Sequence, residues 1–216
     1  MPVKLRLVGS SPVTENGTKR KKMPNRREND RLRGRFHLTE AEVWLLKETA
    51  LRDNLYGLRD ATMISLAFRS CLRINELLGK QALQWSDINW ERGTIHIRRL
   101  KGSDDSTHRL QGDMIRSLRR LKREQNPPSP FIFTSERGAP LSPAAFRKMF
   151  ARLGRQAGIP FPVNPHQLRH GGLTHLACDG ADAITLAAYA GHRQLQNLKR
   201  YISLSSERFK NFRWDD

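Results

Sequence analysis

Pro165-His166-Gln167-Leu168-Arg169-His170 is the stretch on which the reading of this chain turns. Proline suits the first turn of a helix, and a helix beginning after Pro165 sets His166 and Arg169 three residues apart on one face. His166 and His170 are four apart, a spacing that also suits metal ligands. Gln167, however, stands where a zinc peptidase carries its glutamate, and no paired carboxylates accompany the histidines. A metal site is therefore not expected.

Working outward, three more segments join polar groups to apolar helices. In Leu72-Arg73-Ile74-Asn75-Glu76-Leu77-Leu78, Arg73 directly follows an apolar helix ending at Cys71, which anchors its guanidinium near the core. Alone, such an arginine is an ordinary partner for a helix C-terminus. Lys101 lies at the tip of a hairpin after Arg98-Arg99-Leu100, where a lysine is otherwise simply solvated. Ala190-Gly191-His192 is followed nine residues later by Tyr201, itself preceded by Lys199 and Arg200. Together these segments hold two arginines, two histidines, a lysine and a tyrosine, the tools for metal-free attack on a phosphodiester. Guanidinium forks match the non-bridging oxygens and keep their charge. Histidine can take the tyrosine proton or donate to the phosphate, and the lysine can protonate the leaving oxygen. A phenol with a pKa near about 10 needs cationic neighbours to act as a nucleophile.

The pattern around these segments is mainly α with a small antiparallel β-sheet, an α+β domain. Thr39 and Glu42 form a capping box ahead of Val43, Leu45 and Leu46. Helices are predicted over 58–71, 74–80, 113–122, from the Ser142 cap through Leu153, and over 166–178, 184–190 and 195–201. Strands are predicted over 85–90, 94–100, 107–110 and 131–133, the second alternating Ile95 and Ile97 against His96 and Arg98. Cys71 and Cys178 sit in apolar helical contexts without metal spacing and read as buried thiols in a reducing compartment.

The chain has 216 residues, a formal net charge of +18 and a pI near 11.0, which points to a polyanion, nucleic acid ahead of membrane. Eleven of its 39 basic residues but only three of its 21 acidic ones fall in residues 1–36. That segment, with Lys19, Arg20, Lys21, Lys22, Arg26 and Arg27, reads as a basic flexible arm for DNA phosphates, ahead of a folded domain over 37–216. A solubilising tail is the plainer reading. No apolar run approaches the roughly 20 residues of a membrane span and no signal-peptide segment is present, so a cytoplasmic location is expected.

In this order, Arg73, Lys101, His166-x-x-Arg169, His192 and Tyr201 resemble the tyrosine recombinase (phage integrase) family. Arg73-x-x-Glu76-Leu77-Leu78 is similar to its first arginine box. His166 to His170, with Thr174-His175-Leu176-Ala177 and Gly180-Ala181-Asp182, is similar to the second, and Gly191-His192 with Tyr201 to the last. The resemblance covers about residues 37–205. It implies that Tyr201 attacks a scissile phosphate, leaving a 3′-phosphotyrosyl bond and a free 5′-hydroxyl. Arg73 and Arg169 hold the phosphate, His192 supports it, His166 serves as general acid/base and Lys101 protonates the leaving oxygen. Glu76 orients the arginines, and neither metal nor nucleotide cofactor is expected. Arg98 and Arg99 beside Lys101, and Lys199 and Arg200 beside Tyr201, are expected on DNA. The implied partners are double-stranded DNA and further copies of the chain, as a tetramer on two sites, with room for accessory DNA-bending proteins.

The family's separate N-terminal DNA clamp has no counterpart in these residues, which resemble the small fimbrial phase-switch invertases. Ala190 and Leu198 replace a usual leucine and threonine. The aromatics Phe209, Phe212 and Trp214 suggest a tail that docks on a neighbouring subunit. A DNA-binding regulator that does not cut, and a type IB topoisomerase, are the alternatives; the complete six-residue set and the small size favour a recombinase that inverts, resolves or integrates a DNA segment.

Overall fold

The Thr39-x-x-Glu42 box starts the first helix as the sequence predicts: Thr39 Oγ1 accepts from the Glu42 amide, and the Glu42 carboxylate accepts from the Thr39 amide at 2.9 Å. The computed structural model describes residues 37–52, 55–100, 103–192, 198 and 201, all within one unit, Arg35–Asp216. The basic arm, Lys101, Lys199, Arg200 and the aromatic tail lie outside the described residues.

Helices α1 (Glu40–Leu51), α2 (Gly57–Arg69) and the single turn α3 (Ile74–Leu77) precede a 3₁₀ turn at Trp85–Asp87. Strands β1 (Ile88–Asn89), β2 (Thr94–Ile97) and β3 (Ser106–Arg109) form one antiparallel sheet in that order. Then come α4 (Gly112–Glu124), α5 (Pro143–Gln156), α6 (Pro165–Cys178) and α7 (Ala183–Ala190). Ile95 and Ile97 point into the core and His96 out, the period of two that the sequence displays. Three expected strands are curtailed. The 94–100 strand ends at Ile97, and the Arg99 amide bonds the Asp105 carboxylate at 2.8 Å. Residues 85–87 wind into the 3₁₀ turn because the Asp87 carboxylate accepts from the Gln84 amide at 2.7 Å. The 131–133 segment makes only a single bridge, Phe131 opposite Gln84. Of the 195–201 helix, only Leu198 and Tyr201 are described.

Helix α2, buried nearly all round, is the central post against which α1, α4 and α6 pack. Its end supports the site. The Cys71 amide bonds the Phe68 carbonyl and the Leu72 amide the Ala67 carbonyl, a Schellman closure with Cys71 at φ 50° where glycine is usual. Helix α6 crosses this end at Gly171-Gly172: a Cβ on Gly172 would lie 2.1 Å from the Phe68 carbonyl oxygen. Two cores result. The larger runs from Leu38 through Met63 and Ile64 to Phe146 and Phe150; the smaller joins Cys71, Leu173, Ala177, Leu186, Ala190, Leu198 and Tyr201. Cys178, expected buried, is exposed, because it falls in the last turn of α6 on the side away from Leu173 and Ala177. Among the described residues, no helix is long and apolar enough to cross a membrane.

Candidate active site

The Arg73-x-x-Glu76 spacing places a glutamate at the third position of α3. From there Glu76 Oε2 accepts from the Arg73 amide at 2.8 Å, and Oε1 accepts from the Arg73 guanidinium at 2.7 Å. Oε2 also takes the Arg99 guanidinium at 2.8 Å and stands 3.9 Å from that of Arg169. One fully buried carboxylate thus gathers three arginines. Burial works against its charge. The Arg73 amide, the Arg99 charge, the Arg73 guanidinium and Arg169 outweigh it, and the Glu76 pKa lies below the ordinary carboxylate range.

Arg169 is delivered by α6, whose start is built from Asn164, Pro165 and Gln167. The Asn164 side chain accepts from the His166 amide, and the Gln167 side-chain oxygen Oε1 accepts from the Asn164 amide at 2.7 Å. The glutamine in the metal-like spacing is therefore spent on capping, and the described residues contain no group of three or more metal-ligating side chains. The Arg169 guanidinium donates to the carbonyls of Cys71 at 2.5 Å and Ala190 at 2.7 Å, which pins the strained Cys71 turn to the end of α7. Burial, foremost, and Arg73 lower its pKa to about 10, which leaves it charged at neutral pH.

His192 follows Gly191, a left-handed cap (φ 62°) against which the Arg99 side chain packs. Its Nε2 lies 2.9 Å from an Arg169 nitrogen. A guanidinium only donates, so Nε2 must accept and the ring proton belongs on Nδ1. Burial first, then Arg169, Arg73, Arg99 and His170, push the His192 pKa down to about 4. His166 stands at the exposed start of α6. Partial desolvation, then Arg169, Arg147 and Arg73, lower its pKa also.

Tyr201 packs into the smaller core and is only 2 % exposed. Its hydroxyl meets Nδ1 of His170, the residue next to Arg169. Arg73, Glu76, Arg169 and His192 are thus drawn together, and Tyr201 reaches their neighbourhood through its contact with His170. In the sequence His170 figures only in the α6 motif and the metal-like spacing; its place beside Arg169 is the signal that points to it.

Arg99 corrects an expectation. It does not face a ligand: its side chain is 0 % exposed, it donates to Glu76, to Ser106 Oγ at 3.2 Å and to the Tyr189 carbonyl, and it contacts His108. A solvated turn residue would lie outside; Arg99 continues the inward alternation of Ile95 and Ile97. Arg98, on the opposite face, grips Asp87 through two bonds of 2.7 and 2.9 Å and keeps 37 % of its side chain exposed.

A carboxylate-braced set of guanidiniums beside a histidine and a tyrosine, on a helical domain with one small sheet, defines a protein built to handle a phosphate ester. The model of the phage integrase family matches residues 37–208. Type 1 fimbriae regulatory protein FimE of Escherichia coli (strain K12) is 33 % identical over 180 residues, covering 81 % of this chain and 89 % of FimE. The crystal structure of XerA recombinase superposes with a TM-score of 0.69 at 24 % identity, covering 83 % of this chain and 66 % of that one. That of XerH site-specific recombinase bound to difH substrate, a pre-cleavage complex, gives 0.67 at 23 % identity, covering 81 % of this chain and 52 % of the other. The chain spans nearly all of FimE but about half of XerH. It belongs to the phage integrase family, the tyrosine recombinases.

Proposed function

We propose that this chain is a site-specific recombinase of double-stranded DNA, with Tyr201 as its nucleophile. The observation that carries the reading is the contact of the Tyr201 hydroxyl with His170, adjacent in sequence to Arg169, which shares Glu76 with Arg73. Arg73, with 26 % of its side chain exposed, meets the phosphate directly, and the more buried Arg169 supports it from behind. His192 donates from Nδ1. The tyrosine oxygen attacks phosphorus, the bond to the 5′-oxygen breaks, and Lys101 supplies the proton that this oxygen needs. The phosphodiester energy is kept in the phosphotyrosyl bond for rejoining. Near-complete coverage of FimE, together with the resemblance to small phase-switch invertases, favours inversion over integration or resolution. The acting assembly is a tetramer on two sites.

The test uses a duplex carrying the short inverted repeats beside the coding region, nicked so that the cleaved end diffuses away. A covalent protein–DNA adduct is expected, and Tyr201→Phe abolishes it. An adduct that survives Tyr201→Phe would refute the assignment. Residues 1–36 are proposed to lie along phosphates. Removing residues 1–35 should flatten the slope of log affinity against log salt, by about 0.9 for each phosphate that the arm neutralises, with little change in sequence preference. An unchanged slope contradicts the arm reading.

A further inference from the structure

We infer that Arg99 is a positioning residue for the reaction: it moors the β2–β3 hairpin, whose Lys101 follows two residues later, to the Glu76–Arg73 pair and to the corner before His192. The inference rests on the recombinase reading above and names a residue that acts through others, with no exposed side chain to meet DNA. Contacts from three elements carry it. On α3, Glu76 Oε2 takes the Arg99 guanidinium at 2.8 Å while Oε1 holds Arg73. On β3, Ser106 Oγ accepts from Arg99 Nε at 3.2 Å, and His108 Nε2 lies 3.3 Å from a terminal nitrogen. At the end of α7 the Tyr189 carbonyl accepts from that same nitrogen, and the Tyr189 ring lies against that of His108, centroids 3.9 Å apart. The backbone adds to the mooring. The Arg99 amide donates to the Asp105 carboxylate at 2.8 Å, which ties together the two ends of the segment that holds Lys101. On the other side, a Cβ on Gly191 would come within 3.0 Å of Arg99 Cγ, Cδ and Nε, so the arginine stem fills the corner from which His192 departs.

Charge balance does not call for this arginine. Arg73 and Arg169 already outnumber the single Glu76 carboxylate, and burying a further cation costs solvation. What a guanidinium adds is shape. Its rigid planar fork meets a carboxylate, a hydroxyl and a carbonyl in fixed directions, which the single ammonium of a lysine does not reproduce. Arg99 therefore sets where the hairpin sits relative to the arginines that hold the phosphate. That position matters at one bond. Tyr201 gives its proton to His166, the acid/base that the family resemblance names, and the tyrosine oxygen bonds phosphorus. The P–O5′ bond breaks, and the leaving oxygen takes a proton from Lys101. A hairpin that drifts withholds this proton while the arginines still grip the phosphate.

The test replaces the leaving 5′-oxygen of the nicked duplex by sulfur, which departs as a thiolate without a proton because a thiol titrates near about 8.5. Arg99→Lys keeps the positive charge beside Glu76, and Arg99→Met removes it. With the oxygen duplex both variants are expected to form the adduct about 10- to 100-fold more slowly. With the sulfur duplex most of that loss is recovered, as it is in Lys101→Ala, while the unchanged protein makes no comparable gain. The slope of log affinity against log salt stays the same, because a guanidinium without exposed surface neutralises no phosphate. Full activity of Arg99→Lys on the oxygen duplex overturns the inference, since it leaves Arg99 a mere counter-ion of Glu76. So does a changed salt slope. Recovery by sulfur in Lys101→Ala but not in Arg99→Lys also overturns it and spares the recombinase reading. Recovery in neither removes Lys101 as the acid, and the inference falls with it; an adduct that survives Tyr201→Phe is the separate failure of the nucleophile. Should the Arg99 variants lose their melting transition, Asp105→Ala decides. Asp105 is about half exposed and outside the buried cluster, and its loss loosens the same hairpin base. A smaller loss with the same recovery by sulfur is expected there, and no loss overturns the inference.

Discussion

Glu76 has no exposed surface and three arginines for company, so its loss is felt as unpaired charge more than as lost volume. Glu76→Gln keeps the shape, removes the negative charge and leaves the buried Arg99 guanidinium without its counter-ion. A loss of about 3–5 kcal/mol in denaturant unfolding is expected. Adding Arg99→Met should recover part of it, because the two residues form one unit and their effects do not add. Strict additivity would disprove the pairing. Much of this cluster is legible in the sequence. Arg73-x-x-Glu76 is visible through the family resemblance, which implies that Glu76 orients the arginines, and His166-x-x-Arg169 through a shared helical face. Arg99 misleads because it lies close to a turn, and that closeness masks the alternation of Ile95 and Ile97, which it extends inward. His170 is visible in its motif but carries no weight there, since the partner that gives it meaning lies 31 residues away.

The elements are most legible where local chemistry ends them. The Thr39 and Ser142 caps bond the amides that the sequence predicts, and Asn164 and Asp182 cap α6 and α7 in the same way. The short strands are least legible, because a two-residue strand is defined by its neighbour and not by its own pattern. The crossing of α6 over the end of α2 depends on Gly172, and no periodicity reveals that closeness. Gly172→Ala should cost about 2–3 kcal/mol or more, since the added carbon meets a backbone oxygen that cannot swing aside. Gly158→Ala, at φ +69° with nothing within 4 Å, should cost only about 1 kcal/mol of backbone strain. Thermal unfolding of the two variants checks the ranking; equal losses would mean that the helices can separate slightly without penalty.

Over the whole molecule, acid acts through buried imidazoles. Burial, with Arg99 close by, pushes the His108 pKa down to about 4, the same depth as for His192, whereas in the unfolded chain both titrate near about 6.5. As pH falls, the unfolded chain binds these protons first. The stability that they contribute is complete above about pH 6.5, shrinks between about 6.5 and 4, and is gone below that. The melting midpoint should fall through this window, and less so in His108→Gln; a flat profile would contradict the burial. The arginine cluster carries a last consequence. Arg73, Arg99 and Arg169 set against Glu76 leave an excess of two positive charges, equal in size to the dianion that a phosphodiester becomes under attack. The free protein thus carries an unbalanced positive charge that a bound anion offsets. Sulfate should raise the melting midpoint more than chloride at equal ionic strength, so that the solution's choice of salt partly decides how firmly the chain stays folded.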